Sequence, residues 1–287
     1  MNVIEARTRI AIRNILFATD FSPIAHAAVP FAIQIARNHD ARIFGVHVNK
    51  FNDYTAVAPD IWPAMLEAAE NEDKQDAQRL EELLSGVTHE VVIGKGKVSD
   101  VICKLINQNN IDLLILGTHG RKGVGHALLG SLAEEILRRV PCPVLAVGPH
   151  VTLAPETTVV MREIVCATDL LEPAPVAASY AVSLAEDNQA HLTLLHVIDH
   201  RVDGDVVNSR IRKLRELAEG ADLASEPAYR VDEGIAAEKI LEFAATQGAD
   251  LIVLGARPAG GLARHLNAGT VHEVVSQAKC PVLTVRG

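Results

Sequence analysis

Apolar and polar positions along the chain fall into two alternating textures. Short, nearly uninterrupted apolar runs occur at 14–19 (NILFAT), 42–48 (RIFGVHV), 89–94 (HEVVIG), 112–117 (DLLILG) and 143–147 (PVLAV). Runs of this length, rich in Val, Ile and Leu, read as strands buried on both faces. Between them, apolar residues recur at helical spacing. The stretch 22–40 places Ser22 as N-cap and Pro23 at the first helical position. Pro30 inside it predicts a bend or a later true start. Residues 64–84, 98–110 and 131–140 predict three more helices. Strands alternating with helices imply parallel pairing through right-handed crossovers.

The whole pattern then returns. RNILFATD, ending at Asp20, reappears as REIVCATD, ending at Asp169, and ARIFGVHV, ending at Val48, as AHLTLLHV, ending at Val197; both pairs are 149 positions apart. DLLILG and CPVLAV reappear as DLIVLG and CPVLTV at an offset of 138. The lost positions imply extra residues after the second strand of the first copy, where NKFNDYTAVAPDIWP carries the only Trp. A repeat this long is a domain duplication. The expected domains are 1–150 and 158–287, joined near GPHVTLAPETTVV, where helical periodicity stops. Each is expected to be an α/β unit: an open, doubly wound sheet of about five strands flanked by helices.

Composition narrows the picture. Apolar residues make up 48% of the chain and aromatics only 3%, so the core must be aliphatic. The formal charge of −9 disfavours nucleic acid and anionic membrane surfaces as main partners. Cys103, Cys142, Cys166 and Cys280 form no CxxC pair and read as buried, reduced thiols. The first residues lack a signal-peptide core, and no apolar run approaches the ~20 residues of a membrane span. A soluble, cytoplasmic protein is the expectation.

Candidate chemistry concentrates in GTHGRKGVGHALLGS, Gly117 to Ser131. Its spacing is Gly117-x2-Gly120-x9-Gly130-Ser131, directly after the fourth strand and before a helix. Glycines let a backbone approach a ligand, and a helix N-terminus offers free amides and a favourable dipole to an anion. Ser131 adds a hydroxyl that can cap the helix or bond a phosphate; Arg121 and Lys122 add positive charge. The motif is neither a P-loop nor a GxGxxG fingerprint. In the second copy, Gly255 to Gly269 is one residue longer, and Pro258, which has no amide donor, stands at the second glycine. His47 and His196 occupy equivalent strand ends and read as structural. His119 and His126 do not form a metal-ligand signature by themselves.

ATDFS after strand one, HV ending strand two, G-x2-G-x9-G-[ST] after strand four and CPVLAV in the closing strand together resemble the universal stress protein family in its tandem form. The resemblance implies strand order 3-2-1-4-5 in each half, which puts Asp20 and the glycine loop on one crevice. It also implies ATP binding, with or without Mg2+. By the same resemblance, Asp20 and Val48 meet the adenosine end, Gly117, His119, Gly120 and Arg121 line the path to the phosphates, and Gly130, Ser131 and the Leu132 amide hold them. A weaker second site is expected at Asp169, Val197, Gly255, Gly269 and Thr270. The function expected is a stress-response regulator acting through nucleotide-dependent contact with a protein partner. A slow ATPase or nucleotidyl-transfer enzyme and a nucleotide-free interaction or chaperone-like module stay open as alternatives. The apolar closing strands of the two halves are expected to pair as an internal pseudo-dimer, and a homodimer of the whole chain is a further option.

Overall fold

A computed structural model of the chain describes residues 10–49, 61–118, 129–171, 174–199, 203–256 and 266–286. The first half runs β1 (Asn14–Ala18), α1 (Pro23–His39), β2 (Arg42–Asn49), α2 (Trp62–Leu83), β3 (His89–Lys95), α3 (Val98–Gln108), β4 (Leu113–Gly117), α4 (Ser131–Arg139) and β5 (Val144–Val147). The second half repeats the order: β6 (Glu163–Ala167), α5 (Ala174–Asn188), β7 (His191–Ile198), α6 (Gly204–Leu217), β8 (Ala228–Glu233), α7 (Ala236–Gln247), β9 (Leu251–Ala256), α8 (Leu266–Gln277) and β10 (Val282–Arg286). Within each half the strands are parallel in the order 3-2-1-4-5.

The halves share one ten-stranded sheet. β5 and β10 pair antiparallel, with Leu145 opposite Leu283, so each closing strand covers the edge of the other. The apolar layers follow. One face packs α1, α2, α5 and α6 on the sheet, the other α3, α4, α7 and α8, and each layer runs across the join. Strands at the centre are buried along their length, as β4 and β5 show, whereas β3 and β8 at the free edges are only partly buried.

Polar contacts reinforce the join. Arg286 at the end of β10 donates to the Leu137 and Val140 carbonyls at the C-terminus of α4, where a cation suits the helix dipole. The Ile10 amide donates to Ser183 Oγ of α5 at 3.1 Å, so the first half's leading segment lies on the second half. His39 Nε2 stands 3.1 Å from Asp187 Oδ2, both side chains buried. The corresponding contact across the pseudo-twofold is Asn38 to Asn188, at 3.3 Å.

Local signals behave as their chemistry requires. Ser22 Oγ accepts the Ala25 amide at 3.2 Å and Pro23 opens α1. Pro30 lies inside the helix, which excludes the later start. Cys142, Cys166 and Cys280 are buried free thiols, but Cys103 is only partly buried, a correction to the expectation for all four. Burial pushes the Cys142 and Cys280 thiols up to about 12. Among the described residues no helix is long and apolar enough to cross a membrane.

Candidate functional site

The crevice of the first half forms where the sheet reverses, between β1 with its return to β2 and β4 with its step to β5. There, a cavity of about 350 Å³ is lined by Asp20, Val48, Gly117, Gly130, Ser131 and Leu132. Six of the sequence-derived residues thus converge on one space. His119, Gly120 and Arg121 lie outside the described residues. Thr19, Thr118, Val98 and Ile102, for which the sequence carries no expectation at the site, also line the wall. The first was within reach, because threonine precedes the aspartate in both copies of the motif.

The turn after β1 is tightly specified. Thr19 Oγ1 accepts the Phe21 amide at 2.9 Å and Asp20 Oδ1 accepts the Ser22 amide at 3.0 Å. Phe21 sits at φ 58, a left-handed conformation uncommon for an aromatic residue and held here by those two bonds. His47 pins the turn from the next strand: its Nδ1 lies 2.8 Å from the Thr19 carbonyl. A carbonyl only accepts, so Nδ1 carries the proton. Its Nε2 faces Asn49 Oδ1 at 3.0 Å, and Asn49 Nδ2 donates onward to Asp73 and the buried Asp76. Asp73 is held below its ordinary value chiefly by the hydrogen bond from Lys95, at 2.8 Å.

Opposite this turn stands the N-terminus of α4. Gly130 is the N-cap with extended backbone (φ −60, ψ 139), and no side chain caps the helix, so the Ser131 hydroxyl does not take that role. The Gly130 amide is engaged by the Thr118 carbonyl at 3.1 Å, which ties the two ends of the loop together. The donor role expected of Gly130 therefore passes to its neighbours. The first intrahelical bond is Glu134 to Gly130, leaving the amides of Ser131, Leu132 and Ala133 without acceptors among the described residues. Three amides on a helix dipole form an anion site. Gly117 has a different constraint: a Cβ there would stand 2.8 Å from the Ala25 amide nitrogen, so close packing of β4 on α1 requires glycine.

The second half reproduces the turn and alters the rest. Thr168 Oγ1 accepts the Leu170 amide, Asp169 Oδ1 the Leu171 amide, and His196 Nδ1 meets the Thr168 carbonyl at 2.8 Å. Asp169, Val197, Gly255 and Thr270 line a cavity of only about 90 Å³. Helix α8 already begins at Leu266, so Gly269 and Thr270 lie within its first turns and not at its start. Where the first half has Asn49 and Asp76, the second has Ile198 and Arg210, aligned through the buried Leu80 and Leu214. His196 is lowered below its ordinary value mainly by burial, with Arg210 and Lys213 adding to it. Among the described residues no group of three or more His, Cys, Asp or Glu is arranged to hold a metal ion.

Comparison with known proteins agrees with this architecture. The model of the universal stress protein family matches residues 11–148 and again 161–286. A universal stress protein of Methanocaldococcus jannaschii is 27% identical over 138 residues, covering 47% of this chain and 81% of that protein. One from Thermus aquaticus is 31% identical over 137 residues, covering 47% and 98%. The crystal structure of a universal stress protein from Archaeoglobus fulgidus superposes with a TM-score of 0.73 at 21% identity, covering 95% of this chain and 98% of that one.

Proposed function

Since the chain belongs to the universal stress protein family, we propose that its first half binds ATP or a related adenine nucleotide, and that the occupied crevice changes the surface offered to a protein partner in a stress response. The observation that carries this reading is the convergence of Asp20 and Val48 on one wall and three α4 amides, without acceptors among the described residues, on the other, around about 350 Å³ of space. That volume lies within the ~300–1,000 Å³ usual for small-molecule sites. Asp20 and Val48 face the adenosine, and the Ser131, Leu132 and Ala133 amides take the phosphates. Mg2+ enters as the nucleotide's own counter-ion.

The test separates the two ends of the ligand. Ser131→Pro removes one amide donor at the first helical position, where proline is tolerated, and the extended Gly130 before it suits a following proline. A hydrogen bond to a charged group is worth roughly 1.5–3 kcal/mol, so ATP affinity is expected to fall about 10- to 100-fold by calorimetry. Adenosine affinity should hold. Equal ATP affinity in the variant, or no heat with ATP in the parent protein, would remove the proposal.

A further inference from the structure

A second cavity, about 570 Å³, lies on the other side of α1, between that helix, the C-terminal half of α2 and residues 155–158 of the linker. It shares no lining residue with the nucleotide crevice. Pro30, Ile33, Leu83 and Pro155 form an apolar floor, while Arg37 and Arg79 contribute guanidinium groups.

The polar groups of this groove are unequally engaged. Arg79 lies 4.2 Å above the Phe21 ring and 3.6 Å from Asp76, contacts that hold it in place. Arg37 has no hydrogen bond or ion pair among the described residues. The Nε2 of His26 is buried and, among the described residues, has no hydrogen-bond partner, a condition rare in folded proteins. His26 is lowered below its ordinary value, first by burial and then by Arg79, so near neutrality it is an uncharged hydrogen-bonding group. Two carboxylates also line the groove, but no ion pair joins either to Arg37 among the described residues: Glu82 takes the Gln78 amide at 3.0 Å, and Glu156 stands exposed on the linker.

The second half has dismantled the same groove. Pro175 stands for His26, Glu186 for Arg37 and Lys213 for Arg79. Glu186 is tied to the Asp222 amide at 2.9 Å, closing the position that Arg37 leaves open. A free guanidinium and an orphaned imidazole nitrogen over an apolar floor therefore occur on one side of the pseudo-twofold only.

We propose that this groove binds a small organic anion, its apolar body on Pro30, Ile33 and Leu83 and its acidic head on Arg37 and Arg79. The site is independent of the nucleotide reading, and the two fail separately. The probe is 8-anilinonaphthalene-1-sulfonate, an aromatic body with an anionic head, titrated by fluorescence into the full folded chain. Saturable binding of one molecule per chain is expected, unchanged by saturating ATP. Arg37→Glu, which installs the second half's residue, should weaken it at least tenfold, and Arg37→Gln should weaken it less. Both should keep the parent's circular dichroism, since Arg37 is exposed. Absence of saturable binding, equal affinity in Arg37→Glu, or displacement by ATP would overturn the proposal.

Discussion

The two crevices share a turn and differ in what surrounds it. Thr19, Asp20 and His47 have counterparts in Thr168, Asp169 and His196 with nearly the same bonds, 2.8 Å from each histidine to its threonine carbonyl. Yet the first crevice holds about 350 Å³ and the second about 90 Å³. The turn is thus a structural unit that each sheet needs to start its first helix, whether or not a ligand follows. What distinguishes the first half is the start of its last helix and the charges behind its histidine. Repeating the fold and repeating the shape of the crevice make different demands, and the second half meets the first without the second.

The largest expected effect lies where the halves meet. The His39–Asp187 pair and the Asn38–Asn188 contact are pseudo-equivalent, but one pairs two buried ionisable side chains and the other an exposed and a half-buried amide. Removing one partner of a buried pair leaves the other without compensation, at a cost of about 3 kcal/mol. His39→Ala is therefore expected to lower unfolding stability in urea by about that amount, and Asn38→Ala by under about 1 kcal/mol. Equal losses would show that the buried pair does not hold the halves together.

Proline separates the two helix starts. Ser131 is the first residue of α4, whereas Thr270 lies inside α8. Thr270→Pro removes an intrahelical bond and should cost about 3 kcal/mol in unfolding stability. Ser131→Pro should leave stability within about 0.5 kcal/mol while reducing ATP affinity. If Thr270→Pro were as harmless as Ser131→Pro, the two helices would begin at equivalent residues and the asymmetry of the cradles would vanish.

The paired aspartates sharpen the same contrast at lower amplitude. Each accepts one turn amide at 3.0 Å. Asp20→Ala and Asp169→Ala should each cost about 1 kcal/mol of stability. Only the first should weaken ATP binding in calorimetry. Matching losses of affinity would mean that both crevices take the nucleotide.

Much of this architecture was legible in the sequence because strands buried on both faces leave uninterrupted apolar runs. The duplication was legible because NILFATD and EIVCATD keep their spacing to the second strand, and DLLILG and DLIVLG keep theirs to the closing strand. Pairing of β5 with β10 followed from the need to cover apolar edges. Other features had no sequence signal. Periodicity does not report which amides stay unbonded at a helix start, so neither the tie of the Gly130 amide to Thr118 nor the early start of α8 has a sequence signal. The groove beside His26 joins α1, α2 and the linker, elements far apart in sequence, and only the packed helices bring Arg37 and Arg79 together.

The smallest expected effect concerns a latch that the second half lacks. Glu135 on α4 accepts hydrogen bonds from Lys97 Nζ at 2.6 Å, Arg139 at 2.9 Å and Ser99 Oγ at 3.0 Å, joining the helix that presents the amides to the start of α3. Among the described residues its counterpart Glu273 meets a glutamine, Gln277, at 3.4 Å. The hydrogen bond from Lys97, then those from Arg139 and Ser99, depress the Glu135 carboxyl from 4.5 to about 2. A carboxyl depressed in the folded state stabilises it fully above its ordinary value, and that contribution is lost as pH falls through the folded value. The difference in thermal midpoint between the parent and Glu135→Gln should therefore be flat above pH 5, shrink below 4.5 and disappear near pH 2. Glu273→Gln should show no such dependence. Because the latch is exposed to solvent, the difference should be small and decrease further with added salt; a difference that persisted at pH 2 would mean that Glu135 acts through packing and not through its charge.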